Sequence, residues 1–174
     1  ARRRQYRFVF LLPAGDSKFV EALQNALLES DQNNAIDRTT LRAQRIPMND
    51  PYSAARAINL LDVSEVDGVA IMAPETPQVR DAVTHLKENG IPVVALVSDL
   101  PNTGRDHFVG INNLAAGRTA GNLLGRFIGS SGGRIAVIAN SLISRDSLER
   151  RRGFDSILVE EFPGTIPLPT VEGF

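Results

Sequence analysis

The sequence predicts an α/β fold built on parallel sheet, with helices on both faces, and three observations predict it. Strand-like and helix-like stretches alternate from residue 7 onward with short links between them. The first strand candidate, "RFVFLLP", is continuously apolar over strand length and ends in turn residues, as a strand buried on both faces does. Finally, 43% of the 174 residues are hydrophobic, enough for one sizeable core or two lobes of modest size.

The elements follow in order. The first strand spans residues 7–13. In "GDSKFVEALQNALLES", Asp16 or Ser17 can cap a helix in which Phe19, Val20, Leu23, Leu27 and Leu28 recur at helical spacing. "RTTLRAQRIP" is β-branched and alternating, a second strand. "NDPYSAARAINLLD" opens with a cap and a proline near the first turn, and predicts a helix over residues 49–62. "DGVAIMAP" is a third strand, and "ETPQVRDAVTHLKENG" a helix closed by Gly90. "IPVVALVSD" (91–99) and "HFVGI" (107–111) are the fourth and fifth strands. A helix over about residues 113–127, the strand "RIAVIAN", a helix over about 146–162 and a last strand "IPLPTVEG" complete the pattern. "GSSGG" is the one flexible-looking link, and no short-period repeat is present.

Composition excludes several classes. A formal charge of -1 gives no basic balance that demands nucleic acid. Charge is uneven, however: Arg2, Arg3, Arg4 and Arg7 open the chain, as a solvated tail or a linker. Without cysteine there are no disulfides and no cysteine-held zinc or iron–sulfur centre. No stretch reaches the roughly 18 apolar residues of a membrane helix, and the first residues lack a signal-peptide pattern. There is no G-x-G-x-x-G, no phosphate-binding G-x-x-x-x-G-K-[ST] and no G-x-S-x-G elbow. His85 and His107 have no second histidine at ligand spacing and read as surface or internally bonded residues. No metal, cofactor or catalytic group is expected.

In parallel sheets of this kind, ligands sit beyond the carboxyl ends of the strands. The segments that matter are therefore 14–19, 74–76, 98–100, 112–113 and 140–150. They hold Asp16, Ser17, Glu75, Ser98, Asp99, Arg145, Asp146 and Arg150. Carboxylates beside guanidinium groups suit vicinal hydroxyls, because each gives or accepts paired hydrogen bonds. Phe19 can offer an apolar face to a sugar ring. The same residues also serve as helix caps and solvated helix faces.

"DGVAIMAPETPQV", "GIPVVALVSD", "FVGINNLAAGRTAG" and "SLERRRGFDSIL" follow one another in the order and spacing of a known family. The chain resembles the LacI-type regulators and the periplasmic sugar-binding proteins related to ribose-binding protein, over residues 7–174. The resemblance implies two Rossmann-like lobes with parallel sheets and a sugar or similar molecule bound between them. It implies a linker over residues 1–6, a first lobe over 7–111 and part of a second over 112–174, with the segment that completes the first lobe missing. Phe19, with Ser17 before it, matches the family's aromatic after the first strand. Asp99 or Ser98 takes the role of the family's strand-ending Asp. Arg150 matches the R-x-x-G-F arginine, and Phe174 falls near a ring-stacking aromatic. Asn112 stands where the family usually has Asp, and Asn113 is expected as a structural cap and hinge residue.

Of the two branches, the arginine-rich start favours the regulator, whose effector domain joins a DNA-binding headpiece through a basic linker. The lack of a signal-peptide pattern points the same way. The expectation is thus a cytoplasmic, non-enzymatic effector-binding domain, with operator DNA as partner through a headpiece outside this chain. The alternative is an extracytoplasmic sugar receptor of an ABC transporter. Dimerisation is expected through the first lobe, by the flank of the stripe Ala54, Ala57, Ile58 and Leu61 or by the helix after it. With two strands and two helices, the second lobe is expected to be looser than the first.

Overall fold

The computed structural model describes residues 5–33, 38–47, 50–139 and 141–173. The chain falls into two compact units, one ending at Val109 and one beginning at Gly110.

In the first unit the strands are β1 (Tyr6–Pro13), β2 (Thr39–Ile46), β3 (Gly68–Ile71), β4 (Val93–Leu96) and β5 (His107–Val109). They pair in parallel in the spatial order β2-β1-β3-β4-β5. Helices α1 (Lys18–Asn33), α2 (Ser53–Asn59) and α3 (Pro77–Glu88) carry the chain from strand to strand. The apolar run of β1 is divided between two faces. Val9 and Leu11 join Val69, Ile71, Val93 and Ala95 beneath α2 and α3, with Ile58, Val83 and Leu86 above them. Leu12, with Phe10 partly buried, joins Ala70, Leu96 and Val20 beneath α1. Full burial of Leu11 and Leu12 stabilises the unit by about 1.5–3 kcal/mol each.

Caps fix the helix starts. Ser17, not Asp16, caps α1: its Oγ accepts the Val20 N–H at 3.4 Å. Thr76 caps α3 by accepting the Val79 N–H at 3.2 Å, Pro77 follows it, and Gly90 closes the helix at φ 73°. Asp106 anchors the start of β4 by accepting the Val93 N–H at 2.7 Å. Its carboxyl is held below the usual range, first by Lys87 at 2.6 Å and then by that backbone bond.

Five elements differ most from the sequence reading, and the first is β3, expected over residues 67–74 and ending at Ile71. The helix expected over 49–62 is α2, seven residues long. Asp50 uses a carboxylate oxygen to bind the Tyr52 N–H at 2.8 Å, so a side-chain turn occupies what looked like the helix start; Asn49 lies outside the described residues. The stripe Ala54, Ala57, Ile58 and Leu61 is wholly used by the unit's own core, which leaves Tyr52 and Leu60 as the large exposed apolar residues of this segment. β4 stops at Leu96 because Val97 takes φ 62°, and β5 stops at Val109. The helix expected from residue 146 starts at Arg145.

The second unit holds α4 (Asn113–Ile128), a 3-10 turn, β6 (Gly133–Ala139), α5 (Arg145–Glu161) and β7 (Thr165–Glu172). β6 and β7 pair in parallel, with a bulge between Ile135 and Val137. Asn112 caps α4 by accepting the Ala115 N–H at 2.9 Å; Asn113, expected as the cap, is the first helical residue and is buried. The small residues of α4 repeat every four positions, Gly117, Gly121 and Gly125, and so share one face. That face meets α5 at backbone distance. A Cβ on Gly117 would lie 1.9 Å from the Arg150 carbonyl oxygen, and one on Gly153 would lie 2.0 Å from that of Leu114. Arg118 adds a forked pair with Glu160 at 2.9 and 2.7 Å, but an exposed pair contributes little. One side of the two-stranded sheet is open, with Ile138, Ile166 and Val171 exposed.

Two outcomes follow from this packing. Gly117→Ala should destabilise the second unit by about 2 kcal/mol or more, because a backbone oxygen cannot move aside as a side chain can. Hydrogen exchange should show the α4 and α5 amides losing protection while β1 keeps its own. In the unsubstituted chain, β6 should exchange faster than β1, since a two-stranded sheet is marginal by itself. Equal protection of the two strands in a monomer would contradict this.

Candidate functional site

All five strands of the first unit run the same way, so the segments after β1, β3 and β4 lie along one edge. The strand order reverses between β1 and β3, the position at which sheets of this type take ligands. Asp16, Ser17 and Phe19 follow β1, Glu75 and Thr76 follow β3, and Ser98 and Asp99 follow β4. The topology therefore brings together every candidate named in the first unit.

Their environments differ. Asp16 and Ser17 are exposed, and Phe19 is 57% exposed although its neighbour Val20 is core. The β1–α1 loop is tied to β2 by Arg45, which donates to the Gly15 carbonyl at 2.9 Å and to Gln24 at 3.3 Å. Glu75 is half-buried with its side chain turned in, one oxygen taking Arg80 at 3.2 Å and the other, Oε2, buried and lacking a partner. Ser98 is buried and its Oγ also lacks one. A buried polar atom left unpaired costs about 1–3 kcal/mol, so two on neighbouring strand ends are unusual in a structural edge.

Asp99 is engaged within the protein. Arg105 grips it through Nε and Nη2 at 2.5 and 2.8 Å, and one of its oxygens accepts the Leu100 N–H at 2.8 Å. These bonds raise the Arg105 pKa, with Asp99 the main cause and the nearby charge of Glu75 assisting. Asp99 therefore clasps the loop that follows β4, and Leu100 anchors that loop in the core.

The break in β4 is a feature the sequence did not disclose. Val97 is β-branched and sits at φ 62°, a conformation such residues rarely adopt. The Ser98 N–H turns back to the Leu96 carbonyl at 2.6 Å, while the Val97 N–H bonds Val109 at 2.9 Å. Strand alternation fails here. Leu96 and Val97 both pack toward the α1 cluster, and Ser98 is turned inward. Strain of this kind costs of order 1–3 kcal/mol and gathers at functional sites.

In the second unit the candidates lie in the first two turns of α5. Arg150 donates to Asp146 at 2.6 Å, and Arg145 pairs with Glu149 at 2.8 Å. Asn113 is buried with Oδ1 unpartnered. Phe174 and Asn140 lie outside the described residues. Among the described residues no group of His, Asp or Glu could hold a metal ion.

Residues 8–172 match the family model described as periplasmic binding protein domain. The chain belongs to that family. Solved structures agree with it at the level of fold. A glucose-galactose binding protein from Geobacillus stearothermophilus superposes with a TM-score of 0.83 at 21% identity, covering 98% of this chain and 59% of that one. A solute binding protein of an ABC transporter from Burkholderia graminis, in complex with D-arabinose, gives 0.86 at 23% identity over 99% and 58%. A putative LacI transcriptional regulator from Bacteroides fragilis gives 0.84 at 20% identity over 98% and 61%. No curated protein sequence matches the chain. The chain thus spans about three fifths of the length of these relatives, and the likeness to them is a likeness of fold.

The clasp within this periplasmic-binding-protein fold is open to a direct test. Arg105→Ala should lower hydrogen-exchange protection of β4 by the equivalent of about 1–3 kcal/mol, the cost of stranding the partly buried Asp99. Unchanged protection would make the pair a surface contact without consequence.

Proposed function

We propose that this chain is the effector-sensing part of a LacI-type transcriptional regulator, and that the effector is a sugar or related neutral polar molecule. The observation that carries the ligand class is the carboxyl edge of the first sheet. There an exposed aromatic ring, Phe19, shares one edge with buried, unsatisfied oxygens on Glu75 and Ser98. A ring for stacking beside acceptors for hydroxyls is what a sugar requires. Similar folds carry D-arabinose or are described as glucose-galactose binding, which supports the same class.

The regulator branch rests on the basic start, Arg2, Arg3 and Arg4, which suits a linker to a DNA-binding headpiece; Arg7 belongs to β1, where its guanidinium donates to the Ser64 carbonyl at 2.8 Å. With it go operator DNA as partner, a homodimer and a cytoplasmic site of action. The likeness to ABC solute-binding proteins favours the second reading, an extracytoplasmic sugar receptor. Fractionation of cells separates the two: a regulator stays with the cytoplasm and is retained on its own promoter DNA.

The ligand reading is tested by calorimetric titration of the protein as its gene encodes it, with D-arabinose, D-glucose, D-galactose, D-fructose and glycerol. At least one should bind, and at a hundred times its dissociation constant it should stabilise the fold by about 2.7 kcal/mol. Arg150→Ala should weaken that binding roughly tenfold or more, as loss of a charge-assisted bond does. It should barely change the melting temperature, because the pair with Asp146 is half exposed on the arginine side. Normal affinity in this variant removes Arg150 from the site.

A further inference from the structure

We propose that the first unit carries a second binding site, on the sheet face beside α2, and that it takes a small zwitterion with an apolar body: an amino acid with an aliphatic side chain. The site goes beyond the sugar reading and shares no residue with the carboxyl edge of the sheet.

The site exists because α2 is short. Its seven residues span about 10 Å, whereas the eight residues of β2 span about 26 Å. Register sets Thr40, Arg42 and Gln44 beside Arg7, Val9 and Leu11, on the face that α2 packs against. The helix ends too soon to cover them. A cavity of about 450 Å³ remains between β1, β2 and the turn after α2, which is the size of a small-molecule site. Its buried lining is apolar, from Val9, Ala57, Leu61 and Val66. Leu60 also lines it and is 82% exposed, so an apolar occupant would shield it from water.

Charge selects the occupant. Four charged side chains line the cavity, two of each sign. Arg7 is engaged by the Ser64 carbonyl at 2.8 Å and by Asp67 at 3.6 Å. Asp62 is engaged by the Ser64 N–H at 2.9 Å and its hydroxyl at 2.6 Å. The side chains of Arg42 and Glu65 have no hydrogen bond or ion pair among the described residues. An anionic ligand would meet Glu65 and Asp62, and a cationic one would meet Arg42 and Arg7. A neutral ligand would strip water from both spare charges and return no counter-charge. A zwitterion answers both: its carboxylate suits the forked guanidinium of Arg42, and its ammonium suits Glu65. Gln44, two residues along β2 from Arg42, adds an amide to the same lining.

Calorimetric titration of the protein as its gene encodes it, with L-leucine as the probe, tests the site. Leucine should bind, and the sugars tested above should not displace it. Leucinamide lacks the carboxylate and isocaproate lacks the ammonium, so each should bind about tenfold more weakly or worse. Arg42→Ala should cost leucine about tenfold in affinity and leave leucinamide unchanged. Glu65→Gln should cost leucine about tenfold and leave isocaproate unchanged. Both residues are exposed, so neither variant should shift the melting temperature of the free protein. Absence of binding at millimolar leucine overturns the proposal, as does unchanged leucine affinity in either variant. Displacement of leucine by a sugar overturns its location. A dimer that Arg42→Glu dissociates, with no leucine bound, gives this face to a second copy of the chain and overturns it too. Failure of leucine to bind leaves the sugar reading standing, and failure of every sugar leaves this site standing.

Discussion

The five apolar side chains that β1 presents between Arg7 and Pro13 have to be hidden on both sides of the sheet. No single helix can do that, so β1 takes an interior place, with β2 and β3 on its flanks and helices above and below. Covering both faces uses helices as the return connections from β1, β2 and β3, and such crossovers make neighbouring strands parallel, while β4 reaches β5 through a loop. Parallel strands in turn gather every strand-to-helix loop of one polarity at one edge. The position of Asp16, Phe19, Glu75 and Ser98 along that edge is therefore a consequence of how β1 is buried.

The second unit solves its packing differently. α4 and α5 approach so closely that carbonyl oxygens occupy the places of side chains, at Gly117 and Gly153. Contact at this distance gathers many weak dispersion attractions, which a few exposed ion pairs such as Arg118–Glu160 do not match. The open side of the β6–β7 pair, with Ile138, Ile166 and Val171 exposed, shows that a two-stranded sheet leaves more apolar surface than two helices cover.

At the candidate site the charged residues and the unsatisfied ones are different sets. Asp99, the most conspicuous carboxylate after β4, spends its oxygens on Arg105 and a backbone amide. Glu75 gives one oxygen to Arg80 and keeps the other unpaired. Formal charge thus marks where the loops are stapled. Missing hydrogen bonds mark where a ligand has something to gain, because the unpaired atom has already lost its water.

The sequence by itself determined the fold class, the order of the elements and the edge on which to look. Each of these depends on local rules: a doubly buried strand is apolar throughout, and helices repeat at 3.6 residues. It placed the glycine closing α3, but it did not name Thr76 as that helix's cap, left Asp16 and Ser17 open and named Asn113 where Asn112 does the capping. Those choices turn on a single φ angle, which neighbouring residues of equal capping propensity do not reveal. Only the tertiary structure decided that Val97 breaks β4, since nothing in "VVALVSD" asks a valine to adopt a left-handed turn. Likewise only the fold brings Arg105 back onto Asp99 and leaves Ser98 and one oxygen of Glu75 unpaired. Satisfaction of a polar group is a property of what the chain folds around it, and no spacing rule along the sequence records it.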